Sequence, residues 1–257
     1  MKFKMDSIFD SPAFNQNLFF PRPDYSSPPG NSEEIYIEVE PEIKVHARKF
    51  PAPAARFSLV FFHGNGEIVS DYNDLAQVFG AIGGELIVVD YRGYGKSTGF
   101  PSLRTVLNDA CSIFEYLTKN KILRSDVCIM GRSLGSASAI ELGVKYPQIN
   151  CCVIESGYAD PIPLVERRGL RVDSITPEEN AVFNNSQKIK NIKSPLLIMH
   201  GKEDMIISYA EAELNFKNAG SKVKELELID GVGHNDILLA PNNKYFGTLE
   251  KFFAKVF

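Results

Sequence analysis

Ser133 is the side chain whose surroundings most favour covalent chemistry. It is the central residue of the segment Gly-Arg-Ser-Leu-Gly at 131–135, which fits the G-x-S-x-G pattern of a nucleophile elbow. Such an elbow places a serine on a tight turn between a strand and a helix. Here an apolar run at 127–130 precedes Ser133, and a helix-forming run at 134–144 follows it. We therefore predict that Ser133 is a nucleophile; the alternative interpretation is a glycine-rich structural turn.

A second match to the same pattern, Gly-Lys-Ser-Thr-Gly, occurs at 95–99. Ser97 lies several residues beyond the end of its strand and is followed by Phe100 and Pro101, so the strand–turn–helix context is missing. The segment also resembles the end of a phosphate-binding loop, but Asp90 stands where that loop needs its first glycine. It therefore predicts neither a second nucleophile nor a phosphate site.

Four histidines are available as a general base for Ser133, and a serine hydroxyl needs one because it is a weak nucleophile. His46 lies in an N-terminal hairpin, whereas His63 and His200 each end a strand and precede a glycine. His234 lies in a glycine-containing loop after the last predicted strand, and from there it can reach over the edge of the sheet. We predict that His234 is the base; the alternative is a solvated loop histidine.

The base in turn needs an acid that orients it, and in enzymes with a nucleophile elbow this acid lies between serine and histidine in the chain. Asp204 follows the strand 196–200 and satisfies that order. Its neighbour Glu203 is the nearest competitor. Asp230 and Asp236 lie closer to the histidine but have the character of surface turn residues. We predict that Asp204 is the acid.

Acyl transfer also needs hydrogen-bond donors that stabilise the developing oxyanion. The backbone N–H of Leu134, which directly follows the nucleophile, is one predicted donor. The loop His-Gly-Asn-Gly at 63–66 follows the first parallel strand, and we predict that the backbone N–H of Asn65 is the other. In this interpretation His63 orients the loop and takes no proton.

Alternating strand and helix patterns must position these residues, and they predict one α/β domain at 34–257. Continuous apolar strands indicate a mostly parallel sheet with helices on both faces, preceded by an antiparallel hairpin at 34–49. The proline-rich residues 1–33 are expected to form an extended arm that docks through Leu18, Phe19 and Phe20. Residues 156–191 interrupt the alternation of strand and helix patterns and are predicted to form a lid insertion.

Composition excludes several classes of protein. The formal net charge of −4 disfavours a nucleic-acid partner, and 44% hydrophobic with 23% charged residues is typical of a globular domain. We expect no transmembrane segment, and residues 1–6 show no secretory signal. The four cysteines lack metal or redox spacing, so we predict buried thiols and a cytoplasmic protein. Gly64 and Gly66 could open a dinucleotide fingerprint, but Val69 replaces its third glycine; no cofactor or metal is expected.

The motifs resemble those of the α/β-hydrolase superfamily of serine hydrolases, and the resemblance runs from about residue 57 to the C-terminus. It is strongest for a branch with a small lid that includes eukaryotic protein depalmitoylases and bacterial hydrolases of unknown substrate. The depalmitoylases carry an N-terminal cysteine cluster for their own lipidation, whereas the first cysteine here is Cys111. The resemblance therefore implies the fold and a serine hydrolase, but this departure means that the lipid anchor and the palmitoyl-protein substrate of the depalmitoylases are not carried over to this sequence. It rests on the segments 63–66, 90–97, 131–135, 200–204 and 233–236, together with Phe-Phe-Pro-Arg-Pro at 19–23.

We therefore expect a serine hydrolase that cleaves a carboxylic ester or thioester of a small-molecule or lipid-like acyl group. A peptidase, an acyltransferase and a non-catalytic protein of the same fold are the alternatives. Two features of the insertion stay open at this point. Its apolar residues 161–165 could face an acyl chain or pack on the body. Arg167, Arg168 and Arg171 could recognise an anion of the substrate or form a solvated face.

Overall fold

The computed structural model describes residues 7–257; the segment on which the prediction of no secretory signal rests lies outside the described residues. A single sheet of eight strands forms the centre of the fold, in the order β1-β2-β4-β3-β5-β6-β7-β8. The N-terminal hairpin is antiparallel, β2 also runs antiparallel to β4, and all other neighbours are parallel. The predicted sheet is confirmed. Its strands are β1 (Glu33–Glu40), β2 (Ile43–Lys49), β3 (Phe57–Phe62), β4 (Gly84–Val89), β5 (Val127–Arg132), β6 (Cys151–Glu155), β7 (Leu196–Gly201) and β8 (Lys224–Ile229).

Helices cover both faces of the sheet, as predicted. Successive residues of a strand point to opposite faces, so that Val60 and Phe62 pack in one core while Leu59 and Phe61 pack in the other. The first core contains helices α3, α4 and α8, and the second contains α2 and α9. The helices are α1 (Pro12–Leu18), α2 (Ala76–Ala81), α3 (Leu103–Lys119), α4 (Ser136–Lys145), α5 (Ile162–Glu166), α6 (Pro177–Phe183), α7 (Asn185–Lys188), α8 (Tyr209–Asn218) and α9 (Lys244–Val256).

The helix predicted from the apolar spacing at 72–82 is shorter than expected. Residues Val69–Tyr72 form a 3-10 turn, and the α-helix begins only at Ala76. Asp71 Oδ2 accepts the backbone N–H of Ile68 at the start of that turn, which favours a short separate turn over a continuous helix. The predicted end is confirmed, because Gly83 takes a φ of +95° directly after the helix.

The prediction that the arm is extended is wrong for residues 8–18, which form a 3-10 turn and helix α1. Ser11 Oγ accepts the backbone N–H of Phe14, and Pro12 occupies the first helical position, so that α1 begins there. Docking is confirmed for Leu18 and Phe19, which are buried, but not for Phe20, which is 49% exposed. Beyond α1 the chain is extended along residues 22–24, where it forms an isolated bridge between Pro23 and Gly95.

The insertion at 156–191 lies between β6 and β7 and contains the short helices α5, α6 and α7. It packs against the arm, because the ring of Phe183 in α6 stacks on Phe9 with 4.1 Å between centroids. Arg168, just after α5, donates from Nη1 to the backbone carbonyl of Asn17 in α1, 2.6 Å away. The arm and the insertion are therefore in direct contact with each other.

Two further predictions concern the whole chain. Cys128, Cys151 and Cys152 are buried free thiols, as their apolar surroundings indicated, whereas Cys111 is only partly buried. Among residues 7–257, no helix has both the length and the apolar character that crossing a bilayer requires.

Candidate active site

Ser133 lies at the turn between β5 and α4, where the elbow pattern placed it. Its φ is +51°, a left-handed conformation that costs a residue with a Cβ free energy and that the surrounding packing must enforce. The flanking glycines make this packing possible. A Cβ on Gly131 would lie 2.2 Å from the carbonyl oxygen of Gly135, and a Cβ on Gly135 would lie 2.0 Å from that of Phe62. The motif glycines are therefore required by close backbone contact.

The structure brings the three predicted polar side chains into one chain of hydrogen bonds. His234 Nε2 lies 2.9 Å from Ser133 Oγ, and His234 Nδ1 lies 2.6 Å from Asp204 Oδ2. With its hydrogen on Nδ1, the imidazole donates to the carboxylate and leaves Nε2 free to accept the serine hydroxyl. Because β5, β7 and β8 are parallel, the loops after them meet at one edge of the sheet, although the three residues are far apart in sequence.

Asp204 is held as a carboxylate by its neighbours. Its Oδ1 accepts the backbone N–H groups of Ile206 at 2.8 Å and Ile207 at 2.7 Å. Burial opposes ionisation, but hydrogen bonds from His200 and His234 outweigh it and hold the pKa of Asp204 well below its usual range. The competing Glu203 is exposed and makes no contact of this kind with His234.

The other acidic candidates have different partners. Asp230 pairs with the exposed Lys202, 2.7 Å away. Asp236 Oδ1 accepts the backbone N–H of Gly233 at 2.6 Å and so shapes the loop that carries His234. Both are turn residues, as their sequence context indicated.

Two of the other histidines, His46 and His63, are buried and bind Asp90, whereas the buried His200 lies 3.1 Å from Asp204. His63 Nδ1 lies 2.8 Å from the carbonyl oxygen of Gly64, and its Nε2 lies 3.2 Å from Asp90 Oδ1. His46 Nδ1 lies 2.8 Å from the other oxygen of Asp90. His63 therefore supports the loop at 63–66, as expected, and Asp90 joins that loop to strand β2.

Arg132, the residue before the candidate nucleophile, forms a buried network that sequence reasoning missed. Its Nη2 donates to the backbone carbonyl of His234 at 2.7 Å. Its guanidinium also pairs with Glu155 at 3.1 Å and with Glu67 at 2.5 Å. Glu67 Oε2 in turn accepts the backbone N–H of Gly64 at 2.7 Å. A single buried cation thus ties the loop of the candidate base to the loop expected to stabilise an oxyanion.

The opposite charges of Arg132 and its two glutamate partners favour one another's ionised forms. Burial would lower the pKa of Arg132, but Glu155 and Glu67 outweigh it and hold that pKa above its usual range. Glu155 is fully buried, and burial raises its pKa although Arg132 and the hydroxyl of Tyr245 favour the charged form. The position of Glu155 at the carboxyl end of β6 is a local signal by which this part of the network could have been found.

A small cavity of about 30 Å³ lies beside Ser133. The predicted oxyanion residues Asn65 and Leu134 both line it. The Asn65 side chain is fixed by the hydroxyl of Tyr94, 2.6 Å from its Oδ1, and by the carbonyl of Leu18, 2.6 Å from its Nδ2. The arm, the insertion and the loop after Asp204 complete the wall, which consists of Leu18, Asn65, Ser133, Leu134, Tyr158, Leu164, Arg168, Ile206 and Ile207.

The structure shows which apolar residues and which arginines of the insertion face the cavity. Of its apolar residues, Leu164 faces the cavity beside Ser133, whereas Val165 is fully buried in the main core. Of its arginines, Arg168 lines the cavity, and the exposed Arg171 pairs with Asp173. Within residues 7–257, no three histidine, cysteine or acidic side chains are grouped as metal ligands.

Comparison with known proteins supports this architecture. The profile of the family Hydrolase_4, described as Serine aminopeptidase, S33, matches residues 53–164 and 153–238. Protein bem46 of Schizosaccharomyces pombe is 30% identical over 211 residues, which are 79% of this chain and 69% of that protein. Alpha/beta hydrolase domain-containing protein 17B of Xenopus laevis is 31% identical over 211 residues, 79% of this chain and 68% of that protein.

A solved structure shows the same fold. An esterase of Pyrococcus furiosus superposes with a TM-score of 0.76 at 18% identity, covering 93% of this chain and 99% of the esterase. The family profile spans more than half of the chain and includes both Ser133 and His234. On this evidence the chain is a hydrolase and belongs to the α/β-hydrolase family that is described as Serine aminopeptidase, S33.

Proposed function

We propose that this hydrolase cleaves carboxylic esters or thioesters through a triad of Ser133, His234 and Asp204. The observation that carries the proposal is the pair of distances at His234, 2.9 Å to the serine and 2.6 Å to the carboxylate. Both lie within the range in which a base accepts a proton from a nucleophile while an acid orients it. The serine also borders a cavity in which a reacting carbonyl can be placed.

The reaction proceeds in two halves. Ser133 Oγ attacks the acyl carbon and gives its proton to His234 Nε2, while Asp204 stabilises the imidazolium. The backbone N–H groups of Asn65 and Leu134 stabilise the oxyanion. The tetrahedral intermediate collapses, and the leaving alcohol or thiol departs with the proton held by His234. Water then attacks the acyl-enzyme with His234 as base, and the carboxylic acid is released.

An ester or thioester fits the cavity better than the substrate of an aminopeptidase. An aminopeptidase must hold the α-ammonium group of its substrate, for which a carboxylate is the natural partner. Among the described residues, the wall of the cavity contains no carboxylate, and the charged side chain that lines it is the cation Arg168. A positive charge repels an ammonium group, so we favour acyl substrates without one.

A fluorophosphonate probe tests the nucleophile directly, because it forms a covalent bond only with an activated serine. We expect labelling of the wild type and none of Ser133→Ala. Ser97→Ala is the matched control, because Ser97 is the centre of the second G-x-S-x-G match and its Oγ accepts the backbone N–H of His46 at 2.9 Å. The control should label like the wild type. Labelling that survives in Ser133→Ala would overturn the assignment.

Hydrolysis assays then test the reaction class. The wild type should release nitrophenol from nitrophenyl acetate and thiol from an acetyl thioester. Ser133→Ala and His234→Ala should each lose several orders of magnitude in kcat. If the wild type hydrolyses neither compound but cleaves an aminoacyl anilide, an aminopeptidase replaces this proposal.

A further inference from the structure

Arg168 differs from most other arginines of the chain in having no carboxylate partner among the described residues. Arg92 pairs with Asp109 at 2.7 Å, and Arg104 pairs with Asp10 at the same distance. Burial and the positive charge of the neighbouring Arg167 lower the pKa of Arg168. A guanidinium keeps its proton in proteins nevertheless. Within residues 7–257, a positive charge without a carboxylate partner therefore lies at the wall of the cavity that contains Ser133.

Two contacts fix the direction of this charge. Arg168 Nη1 donates to the carbonyl oxygen of Asn17 at 2.6 Å, and the guanidinium lies 5.0 Å from the ring centroid of Phe20. A carbonyl and an aromatic face each attract a cation, but neither neutralises it. A guanidinium has five N–H donors, so that this one keeps donors for a ligand. The contacts hold it in place before a ligand arrives, which reduces the entropy lost on binding.

The size of the cavity limits where an anionic group can lie. The cavity is small, with a volume of about 30 Å³. So small a space favours a short acyl group beside Ser133. Arg168 is exposed, and so it lies where the cavity meets solvent. A charged group of the substrate can reach the guanidinium there while the reacting carbonyl stays at the serine.

We propose that Arg168 is a specificity residue that binds a carboxylate of the substrate at the rim of the Ser133 cavity. The substrate class is then a short ester or thioester that carries a negative charge within a few bonds of the reacting carbonyl. This inference rests on the proposed function, because the cavity matters only if Ser133 is the nucleophile. The carboxylate can belong to the acyl group or to the leaving group, and the two kinds of substrate can be tested separately.

Two matched ester pairs make the test. Nitrophenyl succinate and nitrophenyl butyrate share an acyl length and differ in a terminal carboxylate on the acyl side. Acetoxybenzoate and acetoxybenzamide differ in charge on the leaving-group side. We expect the wild type to prefer the charged member of at least one pair in kcat/KM by about 10-fold, since a charge-assisted hydrogen bond is lost with the neutral member. Added salt should weaken the preference.

Variants separate charge recognition from a structural role. Arg168→Gln should lower kcat/KM for the charged ester about 10-fold more than for its neutral partner, and Arg168→Lys should retain part of the preference. Arg167→Gln is the matched control, because Arg167 is the neighbouring arginine and does not line the cavity; it should retain the wild-type preference. Equal losses on both esters in Arg168→Gln would mean that Arg168 only fastens the arm to the insertion. That result, or the absence of a preference in both pairs, would overturn the inference.

The neutral esters keep this test distinct from that of the proposed function. If the wild type hydrolyses nitrophenyl butyrate and is labelled by the fluorophosphonate probe but shows no preference for charge, only the role of Arg168 is refuted. If it hydrolyses none of the four esters and takes no label, the triad assignment fails and the inference fails with it.

Discussion

Arg132 donates a hydrogen bond from Nη2 to the backbone carbonyl of His234, 2.7 Å away. The residue that precedes the proposed nucleophile in the chain therefore fixes the loop of the proposed base. The same guanidinium pairs with Glu67, which accepts the backbone N–H of Gly64. The loop of His234 and the loop at 63–66 are thus both linked to β5, the strand that precedes Ser133, and this fixes their positions relative to the serine.

Replacement of Arg132 by methionine should strongly destabilise the protein. It leaves the charge of Glu155 buried without a cation, and breaking a buried ion pair in this way costs about 3–5 kcal/mol. Adding Glu155→Gln to Arg132→Met should restore part of that loss, because the uncompensated charge is removed. Urea denaturation measures both free energies of unfolding. Lys202→Met, which breaks the exposed pair with Asp230, is the control and should leave the midpoint unchanged.

The double variant decides whether the network acts through charge. If Glu155→Gln restores no stability in the Arg132→Met background, the loss comes from the missing hydrogen bond to His234 or from lost packing. In that case the stability of the site depends on the tie between the two loops and not on neutralisation of Glu155.

Asp204→Asn should lower kcat by about 10³–10⁴-fold, because an amide in place of the carboxylate favours the wrong tautomer of the histidine and no longer stabilises its cation. The backbone N–H groups of Ile206 and Ile207 can still be accepted by the amide oxygen, so the loop should keep its shape. Rates of nitrophenyl acetate hydrolysis measure the effect. Glu203→Gln alters the neighbouring exposed acid and should behave like the wild type. An Asp204→Asn variant that is as active as the wild type would place the acid elsewhere.

Local patterns in the sequence were sufficient to identify the residues of the proposed triad. Ser133 has a strand before it and a helix after it, and those two signals lie within residues 127–144. The order of the strands along the chain then left Asp204 and His234 at loops on the same edge. The parallel sheet follows from the same alternation, because a crossover helix returns the chain to the same edge each time.

Contacts between distant segments could not be predicted in the same way. Nothing near Arg132 in the sequence indicates that its partner is a carbonyl about a hundred residues later. Nor does anything near Arg168 show that the insertion meets the arm at Asn17. Helix α1 is a different case, since Ser11 and Pro12 are a local start signal that the high proline content of the arm outweighed in our prediction.

Asp90 should make stability depend on pH in the acidic range. Burial raises its pKa, but hydrogen bonds from His46 and His63 outweigh this and lower it from 3.8 to about 2. The folded state therefore binds this proton less readily than the unfolded state. The resulting stabilisation, about 2 kcal/mol, is fully present above about pH 4 and is lost as the pH falls towards 2.

Urea denaturation between pH 2.5 and pH 5 tests this contribution of Asp90. Asp90→Asn should be less stable than the wild type at pH 5, and the difference should narrow as the pH falls. The exposed Asp230→Asn is the control for the chemical change. A constant difference between Asp90→Asn and the wild type over the whole range would show that the carboxylate does not contribute through its charge.

Gly135→Ala should disrupt the turn that holds Ser133. The added Cβ would lie 2.0 Å from the carbonyl oxygen of Phe62, which is backbone of the neighbouring strand β3 and cannot rotate away. We expect a loss of about 1–3 kcal/mol in the free energy of unfolding and a fall in kcat, because the serine moves relative to His234. Gly247→Ala is the matched control, since Gly247 lies in α9 with no atom within 4 Å of the added Cβ. Gly247→Ala should raise the free energy of unfolding by about 0.5–1 kcal/mol and keep its activity. If Gly135→Ala is as stable as Gly247→Ala, the elbow tolerates a Cβ at Gly135.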